Sequence, residues 1–144
     1  MATATELVFA EELAALQEIA QQKGWLIELV GHESFVLKIP VNEGTIQFRV
    51  DCDDYPGSPP AWHIQNAETG ALDQPADLPF HGGYFHKSGV ICATWNRLAY
   101  KEYHAAGPHA GWVMGDWTKQ PQTGGTISLC AMAIRISVEL AGHD

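Results

Sequence analysis

Basic residues, cysteines and long apolar runs are all scarce in this chain, and each shortage removes a class of function. Eight Lys+Arg stand against 17 Asp+Glu, a formal net charge of −9. That balance disfavours electrostatic capture of nucleic acid, so no nucleic-acid partner is expected. No apolar stretch approaches the ~18 residues a bilayer span needs. The start, Met1 to Thr5, lacks the basic opening of a secretory signal. A soluble, cytoplasmic protein without a membrane partner is the expectation. Three cysteines, Cys52, Cys92 and Cys130, form no C-x-x-C pair, which argues against a disulfide framework and a zinc knuckle alike. No cofactor and no metal are implied.

What remains is ample for folding. At 144 residues and 46% hydrophobic content, the chain can close one domain, 1–144, burying roughly 70% of its unfolded surface without a staple. Phe9, Leu13, Leu16 and Ala20 recur at helical spacing over residues 9–20, and Lys23-Gly24 supplies a basic last turn and a left-handed cap. Residues 25–30, 34–39 and 45–50 read as strands joined by connectors short enough for hairpins, and residues 61–64 as a fourth. Between the last two lies Tyr55-Pro56-Gly57-Ser58-Pro59-Pro60, whose prolines remove backbone donors and bar a strand. Residues 65–119 show little periodicity and much Gly, Pro, His and Trp; so long a loop usually has a function. A second helix is expected over 126–140, with Ile127, Cys130, Ala131, Ile134 and Val138 at helical spacing and Thr126 or Ser128 as cap. The expected class is α+β: a helix, an antiparallel meander, a long loop and a closing helix.

The three cysteines differ in their surroundings. Cys52 sits among Asp51, Asp53 and Asp54, whose charges oppose a thiolate, and Cys130 lies on the apolar closing helix as a small hydrophobe. Around Cys92 there is no Asp or Glu from Leu78 through Lys101, whereas His81, His86, Lys87, Arg97 and Lys101 all fall there. An electropositive loop favours the thiolate. A buried apolar cysteine in Val90-Ile91-Cys92-Ala93 is the competing reading on composition alone. Trp25, Trp62 and Trp117 read as packing residues, while Trp95 and Trp112 stay open.

Three segments, in order, resemble the ubiquitin-conjugating enzymes: Tyr55-Pro-x-x-Pro59-Pro60 after a strand, Gly89-x-Ile91-Cys92, and Trp117 followed by Thr126-Ile127-Ser128 at a helix start. The likeness covers most of the chain between Phe9 and Leu140. It implies the UBC-like fold and a thioester-forming Cys92 in a loop after the fourth strand. The family's His-Pro-Asn motif is missing, because Gly82 stands ten residues before Cys92 and Tyr84 takes the asparagine position. An insertion, Tyr100 to Trp117, follows the cysteine, and one closing helix stands where the main family adds two more. These departures resemble the bacterial branch, which uses a histidine after the cysteine and belongs to operons such as the Bil antiphage systems. That resemblance implies as partners a ubiquitin-like modifier, an activating-enzyme-like protein and a target protein.

Chemically, such a carrier needs a nucleophile to accept the acyl group and a donor for the oxyanion formed when an amine takes it away. Cys92 is the nucleophile, and His104, His109, Asn96 and His81 are the candidate donors, with the catalytic set drawn as Cys92, His109 and His104 and the binding residues left unassigned. His109, stiffened by Pro108, is favoured, and the histidine insertion is expected to serve discharge more than charging. Two alternatives stand beside this reading. One is an inactive binding module of the same fold. The other is a metallohydrolase built on the equally spaced pairs His81-x4-His86 and His104-x4-His109.

Overall fold

The computed structural model describes residues 3–42, 44–109 and 111–142. Helix α1 runs Ala4–Lys23; Thr3 caps it, its hydroxyl accepting the Glu6 N–H at 3.1 Å, and Gly24 at φ 78° ends it. Its buried stripe is the expected one, Phe9, Leu13, Leu16 and Ala20. Four strands follow, β1 Leu26–Gly31, β2 Ser34–Val41, β3 Gly44–Asp51 and β4 Ala61–Ile64, as an antiparallel meander in the order β1-β2-β3-β4. Helix α2, Leu129–Ala141, is capped by Ser128, whose Oγ accepts the Ala131 N–H at 3.1 Å. The class is therefore α+β, and among the described residues no helix is long and apolar enough to cross a membrane.

Alternation along the strands supplies one face of the core. Register sets Phe35 opposite Val50, Leu37 opposite Phe48, and Trp62 and Ile64 opposite Val50 and Phe48, and all six are buried. Trp62 is the hub. Its ring meets Phe35, Phe48 and Trp95 edge-on at centroid separations of 6.5, 6.0 and 5.9 Å, and its Nε1 donates to Met132 Sδ of α2 at 3.4 Å. β1, at the sheet edge, buries almost nothing.

One helix face differs from the sequence expectation. Leu129, Met132, Ala133, Ile136 and Leu140 are the residues α2 buries, while Ile127, Ile134 and Val138 are exposed and Cys130 is half-buried. Two apolar stripes at the same spacing run along this helix, and periodicity cannot say which one meets the sheet. Cys130 thus lies beside the core, at its edge.

The proline segment is a tie point. The Tyr55 hydroxyl lies 2.7 Å from Glu12 Oε1 and 2.9 Å from the Ile127 carbonyl, and the same Glu12 oxygen accepts the Leu129 N–H at 2.8 Å. Trp117 Nε1 donates to the Pro56 carbonyl at 3.0 Å, and Arg97 reaches the Pro59 carbonyl with Nε and Asp53 with Nη1, each at 2.9 Å. The Tyr55 hydroxyl thus ties the two helices, and the Pro56 and Pro59 carbonyls hold the loop.

A half-buried charge cluster joins β3, β4 and Asp73. His63 faces Asp51 at 3.3 Å through Nε2 and Asp73 at 2.9 Å through Nδ1. Burial alone would discharge His63, but the hydrogen bonds and charges of Asp51 and Asp73 outweigh it and push its pKa up to about 9. The hydrogen bond from His63, opposed by burial and aided by Ser34 and Arg49, holds the Asp51 carboxyl well below its usual range. A raised histidine stabilises the fold fully below its unfolded pKa of about 6.5, and that contribution fades as pH climbs through the folded value. The depressed Asp51 acts oppositely, its contribution present above about pH 4 and lost on acidification. Thermal melts should accordingly show a parent-minus-His63→Gln stability difference largest near pH 5–6 and shrinking toward pH 9, by at most about 3 kcal/mol. A difference that grows with pH would contradict the cluster's assigned charge state.

A candidate cysteine and histidine site

The loop carrying Cys92 is shaped by one buried amide. Asn96 Oδ1 accepts the Trp62 N–H at 2.8 Å and the Leu98 N–H at 3.3 Å, while Nδ2 donates to the Trp62 carbonyl at 3.3 Å and the Ile91 carbonyl at 2.7 Å. The side chain occupies the edge of β4 as a strand's backbone would, caps the short 3-10 turn Arg97–Ala99, and fixes the residue before Cys92. All its bonding capacity is used. Asn96 is therefore structural and does not supply the oxyanion donor the sequence left open.

Cys92 itself lies outside any strand. A small hairpin precedes it, closed by Gly82 and Phe85 exchanging N–H to carbonyl bonds at 2.9 Å and by His86 N–H to the Val90 carbonyl at 3.0 Å. Gly89 sits in its turn at φ +94°, where an added Cβ would stand 2.2 Å from the Asp73 carbonyl oxygen, so only glycine fits. The Cys92 N–H donates to the Tyr84 carbonyl at 2.6 Å. Tyr84 is in turn clamped by α2: its N–H donates to Glu139 Oε1 at 3.2 Å, and its hydroxyl accepts from Arg135 Nε at 3.0 Å and Nη2 at 2.7 Å. Its ring packs on Trp95 at 5.5 Å. This clamp was not visible in the sequence, where Tyr84 only marked a missing asparagine.

The second arm of the site is the insertion. His109 N–H donates to the Ala99 carbonyl at 3.1 Å, forming a parallel bridge beside Tyr100, and the Tyr100 hydroxyl donates to the Thr94 carbonyl at 2.7 Å. The His109 ring lies flat on Trp112, centroids 3.6 Å apart and planes within 5°, and Trp112 packs on Tyr100 at 5.8 Å. The outcome of both arms is one contact: His109 Nε2 lies 2.7 Å from Cys92 Sγ. Trp112, three residues after His109, is thereby the platform that sets the imidazole plane.

Electrostatics correct the sequence argument. Burial raises the Cys92 thiol above its ordinary pKa. The nearby cations do not offset this, because Arg97 is buried against Asp53 and Lys87 and Lys101 are exposed. Burial, and then the charge of His86, lowers the His109 pKa. Near neutral pH the pair is thus a thiol beside a neutral imidazole, an arrangement in which the imidazole can accept the thiol's proton. Cys52 is pushed up strongly, chiefly by burial, with Asp51 a contributor and Asp53 and Asp54 not; Cys130 is raised by burial and then by Glu12 and Glu18.

The remaining candidates lie elsewhere. His104 Nε2 faces Asp73 Oδ2 at 3.9 Å and its Nδ1 accepts the Ala106 N–H at 3.1 Å, so it bonds away from Cys92. His81 is exposed, and His86 Nδ1 pairs with Ser88 Oγ at 2.8 Å. The equal spacings within the two histidine pairs do not converge. Among the described residues, no three His, Cys, Asp or Glu side chains gather as a metal-ligand set.

Gly107 tests the geometry. It needs no unusual φ, but a Cβ there would approach the Leu98 oxygen to 2.8 Å and the Tyr100 carbonyl carbon to 2.9 Å, whereas a Cβ at Gly111 meets nothing within 4 Å. Gly107→Ala is expected to push the loop outward and lower the rate of Cys92 alkylation about ten-fold, read by mass spectrometry. Gly111→Ala should leave that rate at the parent value.

Comparison of the chain with family models, curated proteins and solved structures gives no significant match in any of the three.

Proposed function

We propose that the chain is a ubiquitin-conjugating-enzyme-like carrier of the bacterial type, which accepts a ubiquitin-like protein as a thioester on Cys92 and passes it to a target protein. The observation that carries the reading is the 2.7 Å contact between Cys92 Sγ and His109 Nε2, in a loop that follows a four-stranded antiparallel meander. Supporting it are the Tyr55-Pro-x-x-Pro59-Pro60 connector, which braces that loop, and Gly89-x-Ile91-Cys92, whose glycine is sterically required. On this reading the partners are an activating-enzyme-like donor, the modifier and a target, and the setting is a bacterial antiphage conjugation system. A pure binding module has no use for a base on its thiol.

The steps follow from the pair. In charging, Cys92 Sγ attacks the donor's thioester carbonyl, its proton passes to His109 Nε2, and the donor's C–S bond breaks to release a thiol that takes the proton. In discharge, an amine attacks the Cys92 thioester, His109 Nε2 takes the amine proton, and the Cys92 sulfur leaves and is reprotonated. The oxyanion of each tetrahedral intermediate lies beside an imidazolium that has just formed. Because burial raises the Cys92 pKa, His109 is needed in both steps, a change from the sequence expectation that confined the histidine's role mainly to discharge.

Incubation with an activating enzyme, ATP and a ubiquitin-like protein should give a reducible adduct that Cys92→Ala abolishes, Cys92→Ser traps as an oxyester, and Cys52→Ala and Cys130→Ala leave intact. His109→Ala should slow single-turnover discharge to free lysine ten-fold or more, about 1.4 kcal/mol, and slow charging as well. With pH, the parent rate should rise through a His109 pKa below the ordinary histidine value and then level, whereas His109→Ala should keep rising into the alkaline range. An adduct on Cys92→Ala would refute the assignment.

A further inference from the structure

We propose that His104 is a positioning residue: seated against the half-buried carboxylate of Asp73, it holds residues 100–109 down so that the His109 imidazole stays on the Cys92 thiol. This rests on the reading of Cys92 and His109 as the reacting pair, and assigns His104 a part distinct from chemistry.

The loop has few other anchors. Lys101, Glu102, Tyr103, Ala105 and Ala106 are exposed, so this stretch buries little that could fix it. Backbone bonds from His104 N–H to Tyr100 O at 3.0 Å and from Gly107 N–H to His104 O at 2.9 Å make a local turn centred on His104. They shape the turn without docking it. Ser88 Oγ donates to the Ala106 carbonyl at 3.4 Å and the Arg97 guanidinium lies 5.2 Å from the Tyr103 ring centre; the tie to Asp73 comes from His104's ring. Since Nδ1 accepts the Ala106 N–H, the ring's N–H is at Nε2, the nitrogen that faces Asp73 Oδ2 at 3.9 Å.

Asp73 is built to receive it. Its backbone is left-handed at φ 58°, a conformation Asp and Asn tolerate better than other side chains, with its N–H on the Ile64 carbonyl of β4 at 2.9 Å. Its Oδ2 accepts from His63, which also faces Asp51, and Arg49 faces Asp51 in turn at 3.2 Å. The oxygen that faces His104 is this same Oδ2, while Oδ1 is buried with no hydrogen-bond partner among the described residues, so the carboxylate keeps unspent acceptor capacity. The same residue's carbonyl lies where a Cβ of Gly89 would be, three positions before Cys92. Asp73 thus touches both arms of the site, the cysteine arm through its backbone and the histidine arm through its side chain.

The test is Cys92 alkylation by iodoacetamide in the full chain, followed by mass spectrometry from about pH 5 to pH 9, with thermal melts as a folding control. His104→Ala is expected to lower the neutral-pH rate about three-fold, the size expected of one weak, partly exposed polar contact, and to shift the pH profile toward that of His109→Ala. His104→Gln, which restores an N–H toward Asp73, should recover at least half of the loss. Asp73→Asn, which keeps the left-handed backbone, should reproduce the loss, and the double variant should be no slower than either single one. A parent-like rate and profile in His104→Ala, additive losses in the double variant, or no recovery in His104→Gln would each overturn the proposal. Should Asp73→Asn fail to melt cooperatively, the comparison of His104→Ala with His104→Gln decides alone. Alkylation needs no modifier protein, so a chain that alkylates as described but accepts no ubiquitin-like protein would sink the carrier reading and leave the latch standing.

Discussion

The Asn96 carboxamide is the interaction on which the site's geometry depends. β4 has four residues and, among the described residues, no neighbouring strand on its outer side, so its backbone groups at Trp62 would be buried and unpaired without another partner. One side chain pairs both of them, and the same side chain takes the Ile91 carbonyl and the Leu98 N–H. Leaving a buried backbone group unsatisfied costs about 1–3 kcal/mol, so removing this amide would strand several at once. The loop after the sheet is therefore an extension of the sheet's own hydrogen bonding, which is why a long irregular segment can hold a cysteine in one place.

From that anchor the chain leaves in two directions and returns to a single point. The hairpin before Cys92 is fixed by the Tyr84 carbonyl, and Tyr84 is gripped by Arg135 and Glu139 of α2. The segment after Cys92 is fixed by the Ala99 carbonyl and by Trp112 beneath the His109 ring. Two of these holds, the Tyr84 and Ala99 carbonyls, are backbone groups, whose directions are set by the fold and not by rotamer choice, and the third is the rigid indole of Trp112 stacked on the imidazole. A thiol and an imidazole held this way need little reorganisation to exchange a proton.

Sequence reasoning found much of this and missed the rest for identifiable reasons. α1, the strands and the second helix followed from periodicity, because each buries one face against a common core. The stripe of α2 that meets that core did not follow, since Leu129, Met132 and Ile136 compete with Ile127, Ile134 and Val138 on equal apolar terms. Cys92 and His109 were singled out together, but Asn96 and His104 were grouped with them by nearness in sequence, and nearness says nothing of direction. Asn96 turns inward to β4, and His104 turns to Asp73, 31 positions earlier. The Tyr84 clamp joins residues more than 50 apart, Arg135 lying 51 away and Glu139 55. No local pattern records such a pair.

The carboxylate-free stretch around Cys92 acts through what it omits. Its cations do not lower the thiol's pKa: the buried one, Arg97, is turned to Asp53 and bears on Cys52 instead, and Lys87 and Lys101 stand in solvent. Yet the three cysteines separate cleanly by what raises them. Carboxylates add to burial at Cys52, through Asp51, Glu12 and Glu33, and at Cys130, through Glu12 and Glu18; at Cys92 burial acts alone. Burial is a penalty that one adjacent base can offset, since an imidazole on the sulfur replaces the lost water as proton acceptor. A fixed carboxylate would repel a thiolate there, and no motion of a histidine loop could remove it. In a chain of net charge −9, keeping Asp and Glu out of this one segment therefore leaves burial as the one penalty on the Cys92 thiolate.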